Sequence, residues 1–297
     1  LIADGDAILL VGSGMSKLSG FPLWNELLEI FENKILEHNP NFNKGRNGKS
    51  NIDYATVLKD ELGSERYNAL IHKIFSDNSK TPTQCHSSIV ALPFRGILTT
   101  NFDWMLEYAL NKKLSTEAKF NNPLNLIIGS SPREAYKFLR GLNENKNGVD
   151  VIAHLHGDYK NANSIVLCAK DYVSKYGVRI TNLDPLEFEE KGWTLERKIL
   201  WSLISTRRLV YIGFSMNDDY FKIMHQITCE DLGSYEEDTH YLIERITSKE
   251  EAITKLATAV YWKENYAVES IFFEENAAGS GLEQLIYEVE KKSEERR

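Results

Sequence analysis

Cysteine is scarce in this chain. Only Cys85, Cys168 and Cys229 occur among 297 residues, far apart and odd in number. A disulfide framework is thereby excluded as the organising device, and a reducing cytoplasm is the simpler setting. No Cys-x-x-Cys pair is present, so a zinc site with four cysteine ligands is not expected. Basic residues are outnumbered, 35 Lys and Arg against 43 Asp and Glu. The formal charge of −8 argues against direct nucleic-acid binding, which needs clustered cations to neutralise phosphates. No apolar run approaches the roughly 20 residues of a membrane span. The opening Leu-Ile-Ala-Asp-Gly-Asp has no basic segment of a secretory signal. An initiating methionine is missing too, and the natural protein is expected to be longer. Internal repeats and low-complexity tracts are lacking.

What is there is a good core, with 42% hydrophobic residues, arranged as short apolar runs ending in small or polar residues. Such runs at Ala7–Val11, Gly96–Thr100, Leu124–Ile128, Val151–Leu155, Ser164–Leu167, Leu209–Gly213, His240–Ile243 and Ala259–Trp262 read as strands covered on both faces. Between them lie helical patterns. Trp24, Leu27, Leu28, Phe31 and Ile35 recur at helical spacing after Pro22. Further helices are expected at Tyr54–Leu62, Ser64–Phe75, Thr83–Leu92, Asp103–Asn111, Ser131–Leu142, Trp193–Ser205 and Tyr220–Ile227, the last capped by Asp218 or Asp219. The polar stretch Asn39–Asn51 reads as a loop. Trp24, Trp104 and Trp201 fit apolar helix faces and read as core. The fold class expected is α/β: a Rossmann-like parallel sheet of about six or more strands, helices on both faces and helical insertions at about 24–92 and 104–145. The expected organisation is one nucleotide-binding domain over 1–275, with 276–297 as a C-terminal helix or a linker to a further region.

Three segments stand where a strand ends, which is where open α/β sheets bind nucleotides. The first is Gly12-Ser-Gly-Met-Ser16-Lys-Leu-Ser19-Gly20-Phe-Pro22, in which small residues let backbone amides approach a phosphate. It lacks both the third glycine of the dinucleotide fingerprint and the Gly-Lys-Ser/Thr of a P-loop. The second is Thr99-Thr100-Asn101-Phe102-Asp103, and the third is His154-Leu155-His156-Gly157-Asp158. A later Gly213-Phe214-Ser215 follows another strand-like run.

In order and spacing these four segments resemble the sirtuin (silent-information-regulator-like) family, which binds NAD. The family shows Gly-Ala-Gly-x-Ser-x-x-Ser-Gly-Ile-Pro, Thr-Gln-Asn-Ile-Asp, His-Gly and a late Gly-Thr-Ser, and the likeness runs from about residue 5 to about 270. It implies that Gly12, Ser13, Gly14 and Ser16 cradle the pyrophosphate, whose bland alternative is a tight turn opening a helix. It implies that Gly213 and Ser215 approach the adenosine side, and that Glu244 meets the adenine ribose, a surface glutamate being equally consistent with the residues. Asn101 would orient a water or hold ribose hydroxyls, and Asp103 would contact the nicotinamide carboxamide. On residue type alone both also suit a helix N-terminus. His156 would accept a proton, while His154, one pleat deeper on an apparent strand and so on the same side, reads as a hydrogen-bonded core residue. A metal held by His154, His156 and Asp158 is the weaker alternative.

The chain departs from protein-deacylating sirtuins in two places. It reads Leu23-Trp24-Asn25 where they continue Asp-Phe-Arg, and it has no zinc module. In both respects it resembles the bacterial sirtuin-like branch that serves as the NAD-consuming effector in antiphage defence. That branch implies an NAD glycohydrolase yielding nicotinamide and ADP-ribose, with NAD as substrate and no metal. It further implies homo-oligomers and a sensor or ATPase partner or fused domain that gates a toxic activity. An NAD-dependent deacylase and a non-catalytic module sensing NAD or ADP-ribose are the alternatives, and NADP is not excluded.

Overall fold

The computed structural model describes residues 6–43, 45–46, 48–116, 124–127, 131–144, 149, 151–180, 188–216, 218–232, 240–275 and 281–295. Its centre is β1 (Ala7–Val11), whose five residues are all buried. A strand apolar at every position needs cover on both faces, and only a sheet sandwiched between helix layers supplies it. β1 pairs in parallel with β2 (Ile97–Thr99) on one side and with β7 (Arg208–Ile212) on the other. Beyond β2 come β4 (Val151–His154) and β3 (Leu124–Ile127). Beyond β7 come β8 (His240–Ile246) and β9 (Val268–Glu274). The result is a seven-stranded parallel sheet in the order β3-β4-β2-β1-β7-β8-β9, the Rossmann-like class expected. β5 (Val178–Ile180) and β6 (Phe188–Glu190) form a separate antiparallel pair that the sequence patterning did not announce.

Alternate residues of the sheet feed two cores. Ile8, Leu10, Leu98, Ala153, Leu209 and Tyr211 face α6 (Pro132–Glu144), α7 (Ala169–Tyr176), α8 (Leu195–Thr206), α9 (Asp219–Asp231) and α10 (Lys249–Tyr266). Ala7, Leu9, Val11, Ile97, Ile152, Val210 and Ile212 face α4 (Gln84–Ala91), α5 (Met105–Thr116) and α11 (Gly281–Glu295). A third cluster joins α2 (Trp24–Leu36) and α3 (Asn51–Phe75) to Phe102, Met105 and Tyr159, and sets these helices beside the carboxyl ends of the strands. The two helices expected at Tyr54–Leu62 and Ser64–Phe75 are both present within α3 and meet at a break at Gly63, whose φ of 71° is the left-handed region that glycine enters without penalty.

Two expected strands are corrected. Ser164–Leu167 is not a strand: Ser164 ends a 3-10 segment, and the residues after it are a buried loop hydrogen-bonded to the site, Val166 N–H donating to the His156 carbonyl at 3.0 Å. Its apolar residues pack the floor of a cleft rather than a sheet. Ala259–Trp262 lies inside α10, whose start is set by Ser248 accepting from the Glu251 amide and whose end is Ala267 at φ 54°. The Ala-Val-Tyr-Trp run there mimics a strand, but Trp262 and Tyr266 lie at helical spacing and reach the core together. The strand follows it as β9. Of Leu124–Ile128, Ile128 lies outside the described residues.

Candidate active site

Register brings the four motifs together. Val11 pairs with Thr99 and with Ile212, and Thr99 pairs with His154. The loops that leave β1, β2, β4 and β7 therefore emerge side by side at the carboxyl edge of the sheet. The chain runs from β1 toward β2 and later returns to the far side of β1 as β7, so this edge is the switch point of the strand order, where such sheets hold ligands. A cleft of about 710 Å³, counting its open mouth, lies there. Ser13, Ser16, Asn101, Asp103, His156, Gly213 and Ser215 all line it. Beside it a second depression shares Ser13, Trp24, Gly213, Phe214 and Ser215 and is also lined by Gly14.

The glycines are demanded by the fold itself. A Cβ on Gly12 would stand 2.5 Å from the Gly213 carbonyl oxygen, and one on Gly213, at φ 61°, would stand 2.6 Å from the Met15 nitrogen. The two loops thus meet backbone to backbone. Gly12 N–H donates to the Ile212 carbonyl at 2.9 Å, and Gly14 N–H to that of Gly213 at 2.8 Å. These amides are engaged within the protein, and α1 (Ser13–Leu18) begins directly after Gly12.

Asn101 is held from three directions. Its amide N–H donates to Thr99 Oγ1 at 3.0 Å, and its Nδ2 donates to the Gly12 carbonyl at 3.0 Å. Its carbonyl accepts from His154 Nδ1 at 2.9 Å. Its side-chain Oδ1 is buried with no hydrogen-bond partner among the described residues. A buried acceptor left unmade costs about 1–3 kcal/mol, and in a cleft it marks a place for a donor from a ligand. Asp103 stands at the start of a helix and also lines the cleft. Its Oδ1 accepts from the Met105 amide at 3.0 Å at the start of α5, while its Oδ2 accepts from the Ser16 hydroxyl. Burial raises its carboxyl pKa above the usual range, against those hydrogen bonds.

The two histidines do not point the same way. β4 ends at His154, and the turn that follows carries His156 to the other core, so the strand alternation expected to align them stops short. His154 lies between the Asn101 carbonyl and Glu107 Oε1, the latter 2.6 Å from its Nε2. Burial alone would depress its pKa, but the Glu107 carboxylate outweighs that and lifts it to about 9. It is an imidazolium donating from both nitrogens. His156 instead sits among Tyr172, Tyr176 and Phe221, its Nε2 2.9 Å from the Tyr176 hydroxyl. Burial lowers its pKa to about 3 and keeps it neutral.

Glu244 stands apart. The β7–β8 register sets it level with Gly213, yet it is half-buried, accepts from Ser270 Oγ at 3.1 Å and lines neither depression. Burial raises its carboxyl pKa. Among the cleft residues missed as site residues are Trp24, Tyr172 and Asp218. Trp24 lines it while also packing against the core, as expected, and its indole N–H is buried without a partner among the described residues. Tyr172 lines it from α7, donating to Asp218 Oδ2 at 2.8 Å. Asp218 does cap α9, accepting from the Tyr220 and Phe221 amides, and also faces the cleft with its pKa pushed by burial to about 6. The spacing of Tyr172 and Tyr176, four apart, with Asp171 at its start and Gly177 at its end, was the available signal for α7. Among the described residues no group of three or more His, Cys, Asp or Glu could hold a metal ion, and no helix is long and apolar enough to cross a membrane. No disulfide joins the cysteines.

Comparison with known proteins bears on this geometry. NAD(+) hydrolase ThsA of Enterococcus faecium is 24% identical over 224 residues, covering 73% of this chain and 38% of that protein. NAD(+) hydrolase ThsA of Bacillus cereus is 24% identical over 218 residues, covering 73% and 38%. Defense-associated sirtuin 2 of Bacillus subtilis is 19% identical over 222 residues, covering 72% and 18%. The chain thus spans well under half the length of these relatives. Among solved structures, Sir2Tm bound to a propionylated peptide aligns over 96% of this chain and 92% of that one, at 10% identity and a TM-score of 0.38, too loose a superposition to bear on chemistry. The family model of the SIR2-like domain matches residues 95–271, more than half of the chain and the stretch that carries Asn101, His156 and Gly213. The protein belongs to the SIR2-like domain family.

Proposed function

We propose that this chain is an NAD glycohydrolase domain, cleaving NAD to nicotinamide and ADP-ribose, and that it acts in antiphage defence by depleting NAD. The observation that carries the reading is the buried, partnerless Oδ1 of Asn101, set in one cleft with Asp103 and His156. Relatives named NAD(+) hydrolase and defence-associated sirtuin support it.

Nicotinamide leaves NAD as a neutral base from a cationic precursor, so the glycosidic bond breaks through an oxocarbenium-like transition state, as in glycoside hydrolysis. Asn101 Oδ1 accepts from a ribose hydroxyl or from the attacking water and holds it in line. Asp103, fixed by Ser16 and the Met105 amide, meets the carboxamide of the leaving group. His156 is neutral, so it can take the proton from water as the new bond forms. The basicity it lacks in the free protein means that it shares this proton in the transition state and does not bind it beforehand. Ser13, Ser16, Gly213 and Ser215 line the path of the diphosphate and adenosine. In this reading no resident metal takes part, the chain works as a homo-oligomer in the cytoplasm, and a sensor or ATPase partner or domain gates it.

The test is nicotinamide release from NAD by the purified protein, with and without an acetylated peptide. Release without peptide is expected. Release that needs the peptide would establish the deacylase instead, and binding without turnover would establish a sensing module.

A further inference from the structure

α10 leaves an apolar face in water. Ile253 is 71% exposed, Val260 56%, Leu256 54% and Tyr261 43%, and Ala257 is exposed between them. At 3.6 residues per turn these side chains form one stripe on the side opposite Trp262 and Tyr266, which reach the core. Isolated exposed aliphatics are ordinary, but a contiguous stripe from Ile253 to Tyr261, between two and three helical turns, marks a contact surface. Among the described residues nothing covers it.

We propose that this face of α10 docks on the same face of a second copy of the chain, antiparallel about a two-fold axis between Leu256 and Ala257. The occupant is argued from the charges. A two-fold contact sets each position against its counterpart reflected through the centre. About that centre Ile253 meets Val260 of the second copy, Leu256 meets Ala257, and Tyr261 meets Ala252. Large side chains fall against small ones or against equals. The same register places Lys249 against Glu264 and Glu250 against Lys263, all four of them exposed. Opposite charges therefore meet at both ends of the stripe, and no like charges do. Within its own chain Lys263 makes only a loose 3.9 Å approach to Glu269. A parallel pairing of the same faces would stack each charge on its own copy. One helix face is smaller than the roughly 800 Å² per partner of a standard interface, so the dimer should be weak. No residue of α10 lines the cleft.

Sedimentation of the purified chain over a concentration series tests this. The wild type should pass from monomer to dimer. Leu256→Asp should stay monomeric with an unchanged melting temperature, because the side chain leaves no core. Lys249→Glu and Glu264→Lys should each weaken association several-fold, and the double variant K249E/E264K should restore it. Each single change also suits the helix dipole, acid at the N-terminal end and base at the C-terminal end, so fraying cannot explain the loss. A wild type that remains monomeric throughout would overturn the proposal. So would a Leu256→Asp variant that dimerises like the wild type, or a double variant without recovery.

Discussion

His156 and Tyr176 form a buried pair, imidazole Nε2 and phenol oxygen 2.9 Å apart, with the imidazole walled by Tyr172 and Phe221. Burial keeps the histidine neutral and the phenol protonated. One hydrogen bond therefore fixes the plane of the ring. Tyr176→Phe deletes that bond and little else. A neutral hydrogen bond contributes about 0.5–1.5 kcal/mol, so NAD turnover should fall several-fold to about tenfold. The loss should lie in kcat more than in KM, measured by nicotinamide release in the folded variant.

Asn101→Ala and His156→Ala should each cut NAD cleavage by about 10²–10⁴-fold, the usual loss on removing a positioned base or the group that holds the nucleophile. Near-wild-type turnover in either variant would remove that residue from the mechanism. Asn101→Ala frees the Gly12 carbonyl at the same time, so its thermal unfolding should be recorded beside its activity.

Gly213→Ala should destabilise the protein by at least about 2 kcal/mol in urea unfolding. The left-handed backbone costs an alanine about 1–2 kcal/mol, and its Cβ would lie 2.6 Å from the Met15 nitrogen. Because the Gly12 and Gly213 loops are packed backbone to backbone, relief of that clash must open the cleft, and activity should fall with stability.

His154 sets a pH dependence whose sign is fixed by its partners. Its folded pKa is raised to about 9, above the ordinary 6.5, by the Glu107 carboxylate overcoming the burial that opposes it. The folded state binds the extra proton between these values. The stabilisation is thus complete below pH 6.5 and is lost as pH rises toward 9. Melting temperature should fall across that window in the wild type, and His154→Gln should flatten the fall while lowering stability at pH 6. An unchanged alkaline slope in the variant would show that the Glu107 pair does not control it.

The parallel sheet was legible in the chain because β1, β2, β4 and β7 are apolar at nearly every position, a pattern that only a doubly covered sheet satisfies. The four motifs were legible for the same local reason, as each is a set of small or polar residues directly after such a run. Patterning misjudged the segments whose state depends on distant partners. Ala259–Trp262 looks like a strand until α10 is seen to bury Trp262 and Tyr266 on one side. Ser164–Leu167 is apolar because it floors the cleft. Periodicity could not separate His154 from His156 either, since their divergence arises where β4 stops and the chain turns at Gly157, at φ 74° with the Ser164 carbonyl 2.3 Å from where a Cβ would lie. Motif order along the chain names which loops meet a ligand. The pairing of β1 with both β2 and β7 decides that they meet in one place, and tertiary partners decide the charges there, the Glu107 carboxylate holding His154 as an imidazolium against its burial and burial alone leaving His156 neutral.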